Sequence, residues 1–302
     1  MFSHLQELCF LRDGRKISYA MFGGPGEPIL FLHGVGRNWQ TFSPLFQQLA
    51  PVRTLIGVTF RGHGHSDRTP KSYLVMDYVG DLVAFLEQQV RKPVTLYGHS
   101  LGAMVALAVA AQASGLVKSL ILEDPPFDTM GNQIHESPLL SYFSGIQTLA
   151  GQSLPVIALA RKFADLPLYN PRTGLRTRVR DTRDQAGMRL SARFLKSVDP
   201  DVFTSIVSGN WLSGYDRNHF IRRVQIPTLL LQADPHAGGM LSDDDANELE
   251  TTLTDCTRVK LEGVPHLMHW ARTQEVLNLV SAFLNANDSS DSTLTSRRNA
   301  DS

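Results

Sequence analysis

Cysteine is scarce: Cys9 and Cys256 are the only two in 302 residues, and they stand far apart. That spacing implies no disulfide framework, and a reducing compartment is the simpler inference. Net charge is missing as well, since 29 basic residues balance 29 acidic ones. Nothing in that balance favours nucleic acid or an anionic membrane surface as a partner. The opening Met1-Phe-Ser-His-Leu-Gln-Glu7 lacks the basic stretch and apolar run of a signal peptide. The longest apolar run, around Leu101 to Ala111, is too short and too rich in alanine to cross a bilayer. No internal repeat is visible. The remainder, 42% hydrophobic and 19% charged, has the composition of an ordinary globular chain able to bury a substantial core. A soluble, cytoplasmic protein is expected, with a small-molecule substrate, no nucleic-acid partner and no membrane insertion.

Short apolar runs alternate with helical patterns. Glu7 to Leu11 and Lys16 to Phe22 read as strands joined through Asp13-Gly14. Pro28 to Leu32 is a continuous apolar run, as expected of a strand covered on both faces of a parallel sheet. A helix over Trp39 to Leu49, a strand over Arg53 to Phe60 and a helix over Met76 to Val90 follow, then strands at Val94 to Tyr97 and Leu116 to Leu122 around an Ala-rich helix. From Phe127 to Arg223 the alternation stops, and helical patterns broken by Pro138, Pro155, Pro167 and Pro171 show no clear strand. Strand and helix then alternate again from Pro227 to Leu284. The pattern predicts an α/β fold with a mostly parallel, doubly wound sheet of about eight strands. Residues 1–126 and 224–286 form its core, and 127–223 a helical cap inserted after the sixth strand, over the carboxyl edge where such sheets bind ligands. The Ser/Asp/Asn/Thr-rich residues 287–302 are expected to be a disordered tail.

Chemistry concentrates at Gly98-His-Ser-Leu-Gly102, wedged between the Val94 strand and the Ala-rich helix with no linker. In that setting the turn forces Ser100 into strained dihedrals, and Gly98 and Gly102 supply the missing Cβ atoms. The hydroxyl then stands at a helix N-terminus, which favours developing negative charge. An exposed serine needs a base. The candidate is His266, in Gly263-Val-Pro-His266, on a loop after a predicted strand. His269, at the approach to the last helix, reads as a satisfied core or surface residue. His63-Gly-His65-Ser-Asp67 has the spacing of a binuclear metal site, but Arg68 stands where another histidine is needed, so neither metal nor cofactor is expected. Arg172, Arg176, Arg178, Arg180, Arg183, Arg189 and Arg193 read first as a solvated face paired with Asp181 and Asp184, and alternatively as a site for an anionic substrate group.

His33-Gly-Val-Gly36, Arg61-Gly-His-Gly-His-Ser-Asp67, Gly98-His-Ser-Leu-Gly102 and Gly263-Val-Pro-His266, in that order, resemble the α/β-hydrolases of the small, capped, esterase-like kind. The likeness covers about residues 8 to 285. It implies Ser100 as nucleophile, His266 as general base, and an oxyanion hole from the backbone N–H groups of Val35 and Leu101. In many relatives the acid follows the seventh strand, where this chain reads Gln232-Ala-Asp-Pro-His236, and the resemblance sets His236 at the usual acid position. Asp124, directly after the sixth strand, is therefore favoured over Asp234, with Glu123 a third choice. The resemblance implies a serine hydrolase acting on an ester-type bond through an acyl-enzyme. C–C hydrolase, lactonase and perhydrolase chemistry share that machinery, and a non-catalytic ligand-binding or sensor protein on the same fold is the competing reading. Epoxide hydrolases and haloalkane dehalogenases carry Asp where this chain has Ser100.

Overall fold

Asp13 and Gly14, at φ 51° and 76°, make the tight turn that joins β1 (Leu5–Arg12) to β2 (Arg15–Phe22) as an antiparallel hairpin. This pair edges an eight-stranded sheet in the order β1-β2-β4-β3-β5-β6-β9-β10. The other strands are β3 (Pro28–Leu32), β4 (Thr54–Val58), β5 (Val94–His99), β6 (Val117–Glu123), β9 (Thr228–Ala233) and β10 (Cys256–Leu261). From β4 to β10 all neighbours are parallel. The computed structural model describes residues 5–131, 134–137, 139–169 and 176–298.

Every residue of β3, β5 and β9 is buried, which explains why these strands read as unbroken apolar runs. One face carries α2 (Val75–Phe85) and α3 (Leu101–Gln112); the other carries α1 (Ser43–Leu49) and α13 (Thr273–Arg298), with α11 (Asp243–Thr252) between β9 and β10 and α12 (Met268–Ala271) just before α13. α3 is buried from Leu101 to Ala111, so its lack of a polar stripe follows from its central place. Because β5 lies in the middle of the sheet, α3 starts at the centre of the carboxyl edge.

Residues 127–223 fill the connection from β6 to β9. They hold α4 (Phe127–Met130), α5 (Leu139–Leu149), α6 (Val156–Ala164), α7 (Val179–Thr182), α8 (Gln185–Leu195), α9 (Thr204–Val207) and α10 (Arg217–Arg223). The expectation of no strand here needs correcting, because β7 (Pro167–Tyr169) and β8 (Arg176–Arg178) pair antiparallel. Three residues are too few to establish a period of two, and a proline at a strand's first position masks it further. Pro138 and Pro171 lie outside the described residues. The insert shares one apolar cluster with the sheet, including Trp211, Phe203 and Ile206. It is also tied down by polar contacts: Asp199 N–H donates to the Gly62 carbonyl (2.8 Å) and Tyr73 Oη to Asp199 Oδ2 (2.7 Å).

The last helix reaches into the tail. α13 continues in helical backbone to Arg298, where composition predicts disorder from residue 287. Long-range pairing explains the continuation past Asn285: Asp288 accepts ion pairs from Arg53 (2.5 Å) and Lys118 (3.4 Å), neither of them near in sequence. Residues 299–302 fall outside the described residues. Among the described residues, no helix is long and apolar enough to cross a membrane.

Candidate active site

β5 runs into α3 through Ser100 alone, which sits at φ 56° and ψ −119°. A non-glycine residue persists there only because its surroundings over-determine it. A Cβ on Gly98 would lie 2.2 Å from the Gly102 carbonyl oxygen, and one on Gly102 would lie 2.0 Å from that of Leu32. The Ser100 N–H donates to the Glu123 carbonyl (2.9 Å), which fixes the elbow against β6. Ser100 itself is buried, and among the described residues its Oγ has no hydrogen-bond partner.

Asp124 follows β6 at φ 47° and is wholly buried. Its Oδ1 accepts from the N–H groups of Ala233 and Leu241 (both 3.2 Å), and its Oδ2 from Met240 N–H (2.8 Å) and His266 Nδ1 (2.6 Å). Three backbone donors thus aim a carboxylate at one imidazole nitrogen. Nδ1 must carry the proton in that bond, which leaves Nε2 as an acceptor. The His266 ring packs on His99, the residue before Ser100, with centroids 4.6 Å apart, and His99 Nε2 donates to the His266 carbonyl (3.1 Å). Burial first, then the charges of His266 and His269, hold His99 well below its ordinary pKa, consistent with a neutral ring that donates through Nε2.

Asp234 is engaged elsewhere. Its Oδ1 caps the turn at His236 N–H (2.8 Å) and its Oδ2 takes Gly263 N–H (2.9 Å), so it shapes the loop that carries His266. Burial alone would raise its pKa; the hydrogen bonds from Gly263 and His236 outweigh that and lower it. His236 is one of the residues capped. Among the alternatives for the acid, only Asp124 is joined to His266.

The His33–Gly36 loop lies against the elbow. A Cβ on Gly34 would be 3.2 Å from Ser100 Cβ and 2.8 Å from His99 Nδ1. Among the described residues, the N–H groups of Val35 and Leu101 have no protein acceptor, the latter because it opens α3. Two buried histidines hold this loop. His33 Nδ1 donates to the Gly34 carbonyl (2.8 Å) while its Nε2 accepts from Phe60 N–H (3.0 Å). His63 Nδ1 donates to the Arg61 carbonyl (2.9 Å) while its Nε2 accepts from Gly36 N–H (3.0 Å). Burial lowers both, His63 to about 4, so both rings are neutral. Arg61 is itself held by a two-point ion pair to Asp81 (2.6 Å each).

These bonds leave the metal-like run scattered among different tasks. Both ring nitrogens of His63 are used, His65 is exposed, and Asp67 caps Lys16 N–H (2.8 Å). Among the described residues, no group of three or more His, Cys, Asp or Glu could hold a metal ion. A surface groove of about 680 Å³ does exist, but it is lined by Gly26, Arg53, Lys118 and Asp288, at the amino ends of the strands and so opposite the elbow.

One arrangement escaped the sequence. Glu123 and His269 form a second buried acid–histidine pair: His269 Nδ1 donates to Glu123 Oε1 (2.8 Å), and Tyr97 Oη donates to Oε2 (2.6 Å). Burial would raise Glu123; the charge of His269 and the bonds from His269 and Tyr97 outweigh it and lower its pKa. His269 Nε2 lies 3.2 Å from Thr41 Oγ1. The only signal for this was two acids in a row facing two histidines three apart. The arginine run also pairs differently from expectation. Arg178 and Arg180 both engage Asp165, whereas Asp181 and Asp184 cap backbone N–H groups of Arg178 and Gly187. Arg172 lies outside the described residues.

The chain belongs to the α/β hydrolase family, whose pattern it matches over residues 29–279. It is 31% identical over 183 residues to the 2-(acetamidomethylene)succinate hydrolase of Mesorhizobium japonicum, a match spanning 58% of this chain and 65% of that relative. Among solved structures it resembles an enol-lactonase from Burkholderia xenovorans (TM-score 0.71, 16% identity, 92% of this chain and 100% of that one). It also resembles a thermophilic esterase from Thermogutta terrifontis (TM-score 0.69, 17% identity, 93% and 99%). At such identities the structural likeness concerns the fold.

Proposed function

We propose that the protein is a serine hydrolase that cleaves an ester-type bond of a small organic substrate through an acyl-enzyme, with residues 127–223 acting as a cap over the site. The observation that carries this reading is the 2.6 Å bond from His266 Nδ1 to the buried Asp124, beside a serine held in a strained elbow. Ser100 Oγ attacks the substrate carbonyl as His266 Nε2 takes its proton. The carbonyl π-electrons move onto oxygen, where the N–H groups of Val35 and Leu101 receive the charge; one such donor is worth about 3 kcal/mol. Collapse expels the leaving group with the proton from His266. Water, deprotonated by the same ring, then attacks the acyl-serine, and collapse frees the acid and Ser100. Asp124 keeps the tautomer and stabilises the imidazolium. The names of the relatives above, a succinate-derivative hydrolase, an esterase and an enol-lactonase, support carbonyl chemistry.

A fluorophosphonate probe and short-chain p-nitrophenyl esters test this together. Labelling and turnover should both vanish in Ser100→Ala. Absence of labelling in the wild-type protein, or turnover that survives Ser100→Ala, would exclude the mechanism.

A further inference from the structure

Arg37 follows Gly36 on the loop that supplies Val35, and it is half-buried. Among the described residues it has neither a hydrogen-bond nor an ion-pair partner, which sets it apart from the other enclosed arginines. Arg12 and Arg61 share Asp81, Arg53 meets Asp288, and Arg217 holds Asp245 and Glu248. An enclosed guanidinium without a counter-charge is costly and calls for an explanation.

Its surroundings supply one. The Arg37 charge is felt by His33 and His99 at the elbow, and it feels Glu123 below and Arg183 and Tyr142 of the insert. Glu123 cannot serve as counter-ion, since both its oxygens are taken by His269 and Tyr97. The insert presses directly on this loop: a Cβ on Gly36 would lie 3.2 Å from Phe203 Cζ and 3.7 Å from Leu195 Cδ2. Burial, then the like charge of Arg183, pulls Arg37 down to about 10. Arg183 is half-buried too, over the Phe163 ring at 5.5 Å and 3.4 Å from Tyr142 Oη, with no carboxylate partner among the described residues. Among the described residues of the arginine run it is the member turned inward: Arg178 and Arg180 hold Asp165, while Arg176, Arg189 and Arg193 are exposed. Two guanidinium groups without an acid partner thus stand on either side of the seam between insert and elbow, Arg37 beside the loop that Phe203 and Leu195 press on and Arg183 on Phe163 and Tyr142 of the insert.

We propose that Arg37 and Arg183 form an anion subsite that seats a carboxylate of the substrate, so that the bond cleaved at Ser100 belongs to a carboxylate-bearing ester. This rests on the serine hydrolase reading above. The planar guanidinium fork matches carboxylate geometry, and the incoming charge relieves the repulsion between the two arginines. A neutral substrate of the same size leaves that repulsion in place.

The test compares p-nitrophenyl hydrogen succinate with p-nitrophenyl butyrate, which share a leaving group and differ in terminal charge. Wild-type kcat/KM should favour the succinate monoester by about tenfold or more, and that ratio should fall at least tenfold in Arg37→Met and in Arg183→Met. Arg193→Met, exposed on α8, controls for loss of general surface charge and should leave the ratio unchanged. A wild-type preference for butyrate, or a ratio indifferent to both inward arginines, overturns the proposal. Should neither ester be hydrolysed, the hydrolase reading fails first, and calorimetric titration of succinate into Ser100→Ala decides the subsite independently. Binding weakened at least tenfold by a further Arg183→Met supports the subsite; no binding, or binding that the change leaves intact, overturns it.

Discussion

Two acid–histidine pairs stand side by side at the end of β6, built from consecutive acids and from histidines three residues apart, and they differ in what surrounds them. In the Asp124–His266 pair the histidine side chain is 19% exposed; in Glu123–His269 both partners are 0% exposed. The first ring has no partner on Nε2 among the described residues and packs on His99, the residue before the strained serine. The second has its Nε2 against Thr41 Oγ1, itself fully buried. The imidazole–carboxylate pattern therefore occurs twice, and of the two rings only that of His266 reaches the surface. Residue types and hydrogen bonds alone do not distinguish a catalytic site from a structural one; access and backbone strain do.

The sharpest way to break this comparison is to remove the negative charge from each pair in turn. Asp124→Asn should keep the fold, since the amide oxygen can still accept a backbone N–H, but lower kcat by about 10⁴-fold. Asp234→Asn should cost far less, through the His266 loop. Equal losses in the two variants, measured by steady-state kinetics, would mean that the acid has been assigned to the wrong strand. Glu123→Gln should behave in the opposite sense and lower stability by about 3–5 kcal/mol as a buried pair loses its charge. Denaturant titration reads that cost, and kcat per folded molecule should change little. A large fall in kcat at full stability would assign the second pair a catalytic part.

Much of this site was legible in the chain. Gly98 and Gly102 flank a serine between an apolar strand and an apolar helix, and steric exclusion makes that spacing informative. Asp124 and His266 each followed a recognisable strand. The Glu123–His269–Thr41 cluster was not legible, because its members come from three distant segments and each has an ordinary reading alone. Nor was Arg37: the nearby acid, Glu123, has both oxygens engaged by other residues, and sequence spacing does not report what a folded chain leaves unpaired. The Asp288 pairs with Arg53 and Lys118 were illegible for a similar reason, since they span most of the chain.

Histidines without an acid sharpen the contrast further. His63 is neutral and buried, its pKa lowered from 6.5 to about 4. The unfolded chain therefore binds the extra proton first, and stability present above about pH 6.5 is lost as pH falls toward 4, by about 3 kcal/mol from this group. Melts across that window should fall more steeply for wild type than for His63→Gln; identical slopes would refute the assignment. The smallest effect is expected at Thr41→Val, about 1 kcal/mol for one buried hydroxyl. Thermal unfolding should register it while ester turnover persists, in contrast to Ser100→Ala.

The bond between Asp124 and His266 joins residues 142 apart in the chain. Such a contact forms late, after loop closure has brought β10 to the edge of a sheet whose centre assembles from nearer neighbours. The elbow at Ser100 depends on β3, β5 and β6, all completed by Glu123. A polypeptide emerging from the ribosome can therefore hold its serine in place well before the imidazole of His266 has been synthesised. On the proposed mechanism, a chain that ends before β10 would hold the strained serine without its base and would be inert toward acyl compounds.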